Sequence, residues 1–479
     1  MSRNSGLSIV FRIAKTELAS LFGSPIAWLI LVVFCILASL DLSKSISSMA
    51  GFLQTGNLEY SLTSNIFLGM YGFFEKVAGK LFIYIPLLTM GLISREISSG
   101  SIKLVYSSPV TSLQLVLGKY LAAVAVSACL MTVPVLATAS GAVVITHFDI
   151  APMLVALLGL FLLICSYCAI GLLMSSLTSY QVVAAVSTLA VLALLGQIGS
   201  FGREYEAVRN ITYWLSMNGR VSSFLRGVVR SDDLVYFICL TLMFVTLTVF
   251  RISFSRMGMG WQKKASACLL LVAAVFCLAY LSSRPRLLVI ADATRTRSNT
   301  ITPESRKVIE QIDGRVVVNS YVNIMDSQSV PYLPTRMNPM RSEFEQYKLS
   351  KPDIEEHVIY YYAPVPGVVS QKRFEGKTVE EMRDFYLMTY GVNPAVFRSW
   401  EELDDAGLLK DEGFTFFRKI STEDGRSVIL RNYNDTPRVP SEAEMTAAFA
   451  KLYAEMPAVA FLSGNGERSL FGGNPESYH

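Results

Sequence analysis

The chain has 479 residues, of which 52% are hydrophobic and 17% charged, a formal net charge of +4, and a mean hydropathy of +0.42. That is too apolar for an ordinary soluble enzyme, too structured in composition for a disordered chain, and too near neutrality to suggest nucleic acid as a partner. The average conceals two parts: residues 1–283 hold 18 Lys and Arg with 10 Asp and Glu, whereas residues 284–479 hold 24 and 28, so a membrane domain is followed by a water-soluble one.

From the N-terminus, Leu7, Val10, Phe11, Ala14, Leu18 and Leu21 recur at helical spacing with Arg12, Lys15 and Glu17 among them, before a break at Gly23-Ser24-Pro25. This predicts an interfacial elbow helix. A spanning helix needs roughly 20 mostly apolar residues. Seven segments approach that length: Ile26 to Leu42, Phe74 to Ile93, Tyr120 to Ile145, Met153 to Met174, Gln181 to Ser200, Leu234 to Phe250 and Ala265 to Ser282. Asp41 is expected at the outer end of the first. Glu75, Lys76 and Lys80 are expected to snorkel from the second, and Pro86 and Pro134 to kink the helices that carry them. The five later segments have no ionisable interior residue, which argues against an ion-coupled transporter. Ser166, Ser187, Thr188 and Gln197 read as interhelical packing positions.

All seven cysteines lie in the apolar half, so no disulfide framework is on offer, and Cys165-x-x-Cys168 reads as packing within a span. The loop Arg251 to Lys264 carries four bases and no acid, which places it, and the N-terminus, in the cytoplasm. With seven spans the polar tail is then extracytoplasmic. No metal site and no catalytic constellation is found. The tail lacks Cys and any G-x-S-x-G, and His357 beside Glu355 and Glu356 reads as a surface residue.

In the tail, Leu287 to Ile290, Val316 to Asn323, Val358 to Tyr362, Phe414 to Arg418, Ser427 to Tyr433 and Val459 to Leu462 are expected strands. Helices are expected at Pro303 to Ile312, Ser342 to Tyr347, Val379 to Tyr390 and Ser441 to Met456. The alternation predicts an α/β layer with a mixed sheet, and the sheet is expected to be incomplete at the C-terminus.

The most informative stretch joins the second and third apolar segments. It reads Arg95-Glu96-Ile97-Ser98-Ser99-Gly100-Ser101-Ile102-Lys103-Leu104, then Ser107-Ser108-Pro109-Val110, and ends at Gly118-Lys119. Gly100 can end a helix in a left-handed conformation, Pro109 prevents resumption, and Thr111 or Ser112 can cap the next helix, giving a short bracket at the membrane surface. Glu96 either offers a carboxylate to a basic partner or pairs locally with Lys103 or the neighbours of Arg95.

These residues resemble, in order and spacing, the loop between the second and third spans of ABC-2 type transporter permeases, and the likeness covers roughly residues 7 to 254. The resemblance implies a six-span permease domain at residues 1–254. A cytoplasmic loop and an added seventh span follow at 255–283, and an extracytoplasmic α/β domain at 284–479. It implies that Arg95, Glu96, Gly100, Ser101, Lys103, Pro109, Gly118 and Lys119 form the ATPase-coupling loop. Its implied partners are a separate ABC ATPase, a second permease copy or homologue, membrane lipids and possible envelope proteins at the outer domain. The chain has no G-x-x-x-x-G-K-[ST], so ATP and Mg²⁺ are expected on the ATPase and no cofactor on this chain. Asp292-Ala293-Thr294 with Asn299-Thr300-Ile301-Thr302-Pro303, and Val459 to Glu467, resemble parts of the auxiliary domain of gliding-motility type ABC systems. The alternative function is a membrane-anchored envelope assembly or receptor protein whose tail binds a partner.

Overall fold

In a computed structural model the structure describes residues 5–54, 62–68, 72–201, 208, 211–212, 215–257, 260–282, 284, 287–295, 297, 299–336, 343–365, 368, 371–403, 406–431 and 440–454. It divides into two compact units, residues 1–301 with 337–349, and residues 302–336 with 350–479.

The first unit begins with the elbow helix α1 (Ser5–Phe22), which stops at Gly23 and restarts as α2 (Pro25–Gln54) with Pro25 in its first turn, where a missing N–H costs nothing. After α3 (Leu62–Phe67) come α4 (Phe73–Thr89), α5 (Ser94–Ser98), α6 (Ile102–Ser107), α7 (Ser112–Ala128), α8 (Thr132–Val144), α9 (Ile150–Leu177) and α10 (Gln181–Gln197). The unit continues with α11 (Met217–Leu225), β1 (Val228–Arg230), α12 (Ser231–Met257) and α13 (Trp261–Ser282). Among the described residues, six helical segments are long and apolar enough to cross a membrane: Pro25–Gly51, Phe73–Ser98, Ser112–Val144, Ile150–Leu177, Ser231–Arg256 and Trp261–Ser282. Gln181–Gln197 is apolar but shorter. All seven expected apolar segments are therefore helices.

Pro86 stays inside α4. The third segment passes from α7 to α8 through a 3₁₀ turn at Cys129–Met131 just before Pro134, where the carbonyl four residues earlier has no N–H to meet. Charge placement differs from expectation. Asp41 lies inside α2 and pairs with Lys80 of α4, and Lys76 donates to Ser45 Oγ at 2.8 Å. These amines are thus partnered between helices rather than snorkelling. Ser166 reaches across to Thr241 at 3.0 Å, whereas Ser187 and Thr188 bond back to Ala184 of their own helix. Cys168 Sγ donates to Ser127 Oγ at 3.3 Å, an interhelical contact.

Glycines let α9 act as the centre of the bundle. A Cβ on Gly159 would lie 3.0 Å from Phe224 Cγ, and one on Gly171 would collide with Thr89.

β1 pairs antiparallel with β2 (Ile290–Asp292), so the strand expected at Leu287 to Ile290 forms later and belongs to the first unit.

In the second unit, α14 (Pro303–Glu310) is capped by Thr302, whose N–H and hydroxyl both donate to Glu442 Oε1 at 2.7 and 2.9 Å. Burial alone would raise the pKa of Glu442, but hydrogen bonds from Ser305 and Thr302 outweigh it and hold the group below the ordinary carboxylate range. The sheet has the order β5-β4-β3-β6-β7, with β3 (Val316–Asn323), β4 (Ile354–Tyr362), β5 (Arg398–Ser399), β6 (Phe417–Thr422) and β7 (Ser427–Arg431). β3 is parallel to β4, β4 to β5, and β6 is antiparallel to both β3 and β7, the mixed sheet expected. β6 starts three residues later than expected, after a turn in which Gly413 and Phe414 both take positive φ, +62° and +58°. The strand candidate at 459–462 and the turn at 464–467 lie outside the described residues.

Gly171→Val should overpack the α4–α9 contact and destabilise the bundle by about 1–3 kcal/mol. Gly79, whose Cβ would meet nothing within 4 Å, gives the control: Gly79→Ala should be neutral or raise stability by about 0.5–1 kcal/mol. Thermal melts in detergent measure both, and equal losses would show that close approach is not what Gly171 provides.

Candidate functional site

The bracket forms as its residues dictate. α4 ends at Thr89, and the chain turns so that the N–H groups of Ile93 and Ser94 both donate to Ser175 Oγ of α9 at 3.0 Å, while that hydroxyl donates to Met90 O at 2.9 Å. One buried serine thereby satisfies three backbone groups of the turn. α5 follows and stops at Gly100, which has φ +73° and open space around its missing Cβ. α6 ends at Ser107, and Pro109 precedes Thr111, whose side chain forms a reciprocal capping box with Gln114 at the start of α7. The left-handed glycine and the threonine cap fall where the sequence reading put them, but the helix resumes at once as α6, so Pro109 follows a second short helix instead of preventing one.

Lys119, in the second turn of α7, is 1% exposed. Its ammonium donates to Glu17 Oε1 of α1 at 2.5 Å, Glu96 Oε1 of α5 at 2.7 Å and Leu92 O at 2.9 Å. A lysine has three N–H donors and no acceptor, so all three are used. Each acceptor comes from a different piece of chain. Beside it, Gly118 admits α1, since a Cβ there would lie 2.6 Å from Ile13 Cγ2 and 3.0 Å from Val10 O. Arg95 adds a bond to Ser20 Oγ at 3.1 Å.

Glu96 therefore faces inward to Lys119, not to Lys103 and not out to a partner. Its second oxygen and that of Glu17 are buried without a hydrogen-bond partner, so two carboxylates meet one ammonium and the cluster has an excess of acceptors. Lys103 and Pro109 are exposed, Ser101 is half-buried, and Leu104 is 75% exposed. On α1, Arg12 and Lys15 are exposed while Glu17 is mostly buried.

The sequence reading missed Ser175, Arg256 and a second charged cluster. Arg220, 2% exposed, meets Asp233 at 2.9 Å and Asp232 at 3.5 Å at the start of α12, and its guanidinium stacks over Tyr236 at 4.6 Å. Arg230 meets Asp232 at 3.1 Å and Glu345 at 2.7 Å. Burial would lower the pKa of Arg230, but Glu345, Asp232 and Asp233 raise it overall. An Asp-Asp dipeptide at a helix start was a legible signal, since acids favour the N-terminal turn, but its basic partners came from other elements.

A cavity of about 320 Å³ lies among α4, α9, α10 and α11, with Ala78, Phe82 and Leu192 on its apolar wall and Glu75, Gln197 and Asn218 on its polar side. Among the described residues no group of three or more His, Cys, Asp and Glu is arranged to hold a metal.

Lys119→Met should destabilise the chain by about 3 kcal/mol, because it strands two largely buried carboxylates. Adding Glu17→Gln and Glu96→Gln should recover most of the loss. Detergent unfolding of the single and triple variants measures this, and a triple variant as weak as Lys119→Met would show that charge stranding is not the cause.

Residues 11–259, just over half of the chain, match a family model described as ABC-2 family transporter protein. A comparison with curated proteins returned no match. The matched range runs from within α1 to just beyond α12, and so contains the bracket, Lys119 and its carboxylates, and both charged clusters apart from Glu345. The chain belongs to the ABC-2 transporter family, as a multi-pass permease subunit.

Proposed function

We propose that an ABC ATPase on a separate polypeptide, carrying ATP and Mg²⁺, docks on the bracket from Ser94 to Lys119 and that its closure moves the bundle, driving a substrate across the cytoplasmic membrane. The observation that carries this reading is the Lys119 lock. A bracket tied to α1, α5 and α7 by one buried cation moves as a unit, so a force applied to its surface is delivered to the spans and not absorbed in a loose loop. Lys103, Leu104 and Pro109 supply the exposed surface, in which Leu104 gives an apolar side chain for a partner to bury and Lys103 a charge beside it. The permease acts with a second copy or a homologue.

The tail reads as extracytoplasmic, on the opposite side from the bracket, because seven apolar helices separate the elbow helix from it when α10 also crosses. Its parallel β3–β4 pair within a mixed sheet is compatible with the gliding-motility type auxiliary domain, and its role is to engage an envelope partner.

Leu104→Asp and Gly100→Val should leave expression near wild type and reduce co-purification of the ATPase. Leu104→Asp acts at the contact surface, while Gly100→Val strains a left-handed position at a cost of about 1–2 kcal/mol without any steric clash. Full ATPase capture by both variants would remove the bracket as docking surface. Topology is tested by a protease site inserted at Gly376. Cleavage should occur only from the extracytoplasmic side, and cleavage from the cytoplasm would contradict the seven-span arrangement.

A further inference from the structure

At the joint between α6 and α7 the helical hydrogen bonding of the bracket is interrupted. Pro109 has no N–H, and α7 accepts its first helical bond at the carbonyl of Thr111, where Leu115 N–H donates at 3.1 Å. The carbonyl of Val110 therefore lies outside both helices. It is taken by a residue 146 positions away: Arg256 Nη1 donates to Val110 O at 2.9 Å. The same guanidinium stacks over Tyr106 of α6, 5.3 Å from its ring centre. One side chain thus grips α6 and the joint together. In the sequence reading Arg256 counted only as one of four bases that set membrane orientation.

The helix that carries Arg256 is suited to pass on a displacement. α12 has 27 residues with neither Pro nor Gly, so it has none of the usual sites of kinking, and at ~1.5 Å per residue it is about 40 Å long. It packs against α9 through the Thr241–Ser166 contact. Its far end holds Asp232 and Asp233 in the buried cluster with Arg220 and Arg230.

We infer that Arg256 is a positioning residue that clamps the α6–α7 joint to α12, so that movement of the bracket is handed to this single unbroken helix as well as to α7. The inference rests on the reading of the bracket as the ATPase docking surface. A cation is needed for the stacking on Tyr106 and a donor for Val110 O, so lysine retains part of the function and alanine none.

The test uses the full chain in lipid nanodiscs. Without any partner, Arg256→Ala should accelerate amide exchange over residues 102–111 about tenfold, the effect of losing one charge-assisted hydrogen bond with its cation–π contact. Exchange over 92–98, held by Lys119 and Ser175, should not change, and Arg256→Lys should restore about half of the protection on a logarithmic scale. Unaltered exchange at 102–111 in Arg256→Ala overturns the clamp. In a second arm, the chain is purified with its bound ATPase. Arg256→Ala should leave the amount of ATPase bound and the KM for ATP unchanged while kcat falls about fivefold or more, roughly 1 kcal/mol of lost coupling, with partial rescue by lysine. Wild-type kcat, or loss of binding in proportion to turnover, overturns the positioning role. If even the wild-type chain retains no ATPase, the proposed function fails, while the exchange arm still decides whether Arg256 clamps the joint.

Discussion

A buried ammonium organises the bracket and its junction with the helices around it. Lys119 cannot be 1% exposed without three acceptors close at hand, because an uncompensated buried cation costs several kcal/mol. The acceptors it takes lie on α1, on the turn after α4 and on α5. Three segments, the farthest 102 positions from Lys119 in sequence, are therefore fixed relative to α7 by one group. Gly118 is the steric counterpart. It brings the backbone of α1 close enough for Glu17 to reach, and the adjacent lysine then uses that proximity. Neither residue would be effective without the other.

The same logic recurs through the bundle. Asp41 with Lys80 ties α2 to α4, Arg220 with Asp233 ties α11 to α12, and Arg230 with Glu345 ties β1 to the segment that returns from beyond β3. Apolar contact alone gives little preference for one helix register over another in lipid, where the surroundings are as apolar as the helices. Charged pairs between helices do discriminate, because a wrong register would leave a charge unpaired. Specificity of arrangement is the account we give of these pairs, and the interior of α9, packed through Gly159, Gly171 and Ser175, supplies close approach without charge.

What the sequence disclosed followed the range of the forces involved. Local ones were legible: α1, the seven apolar helices, the Gly100 turn, the Thr111 cap, β3 and the helix at Val379–Tyr390 follow from periodicity, capping and backbone preference. Element ends that depend on tertiary pairing were not. The strand at Ile290–Asp292 forms where β1 offers an edge, and β6 begins only after the positive φ of Phe414. At the candidate site, the residue types of the bracket were identified but their partners were not. Glu96 gave no sign in sequence that its counter-ion stood 23 positions away on α7, and Lys80 read as an interfacial snorkel because its partner Asp41 lies on another helix 39 positions away. Ion pairs between helices are set by register and rotation, which a single sequence does not display.

The central claim is that the bracket is where the energy of ATP hydrolysis enters the membrane domain. It is tested most directly by placing a photocrosslinking amino acid at Leu104, a 75% exposed apolar side chain of α6, and illuminating intact cells. The account predicts a crosslink to an ABC ATPase chain at Leu104 and none when the same group is placed at Met388, an equally accessible apolar position of the tail. A crosslink to the ATPase from Met388, or lipid and unrelated proteins alone from Leu104, would contradict it.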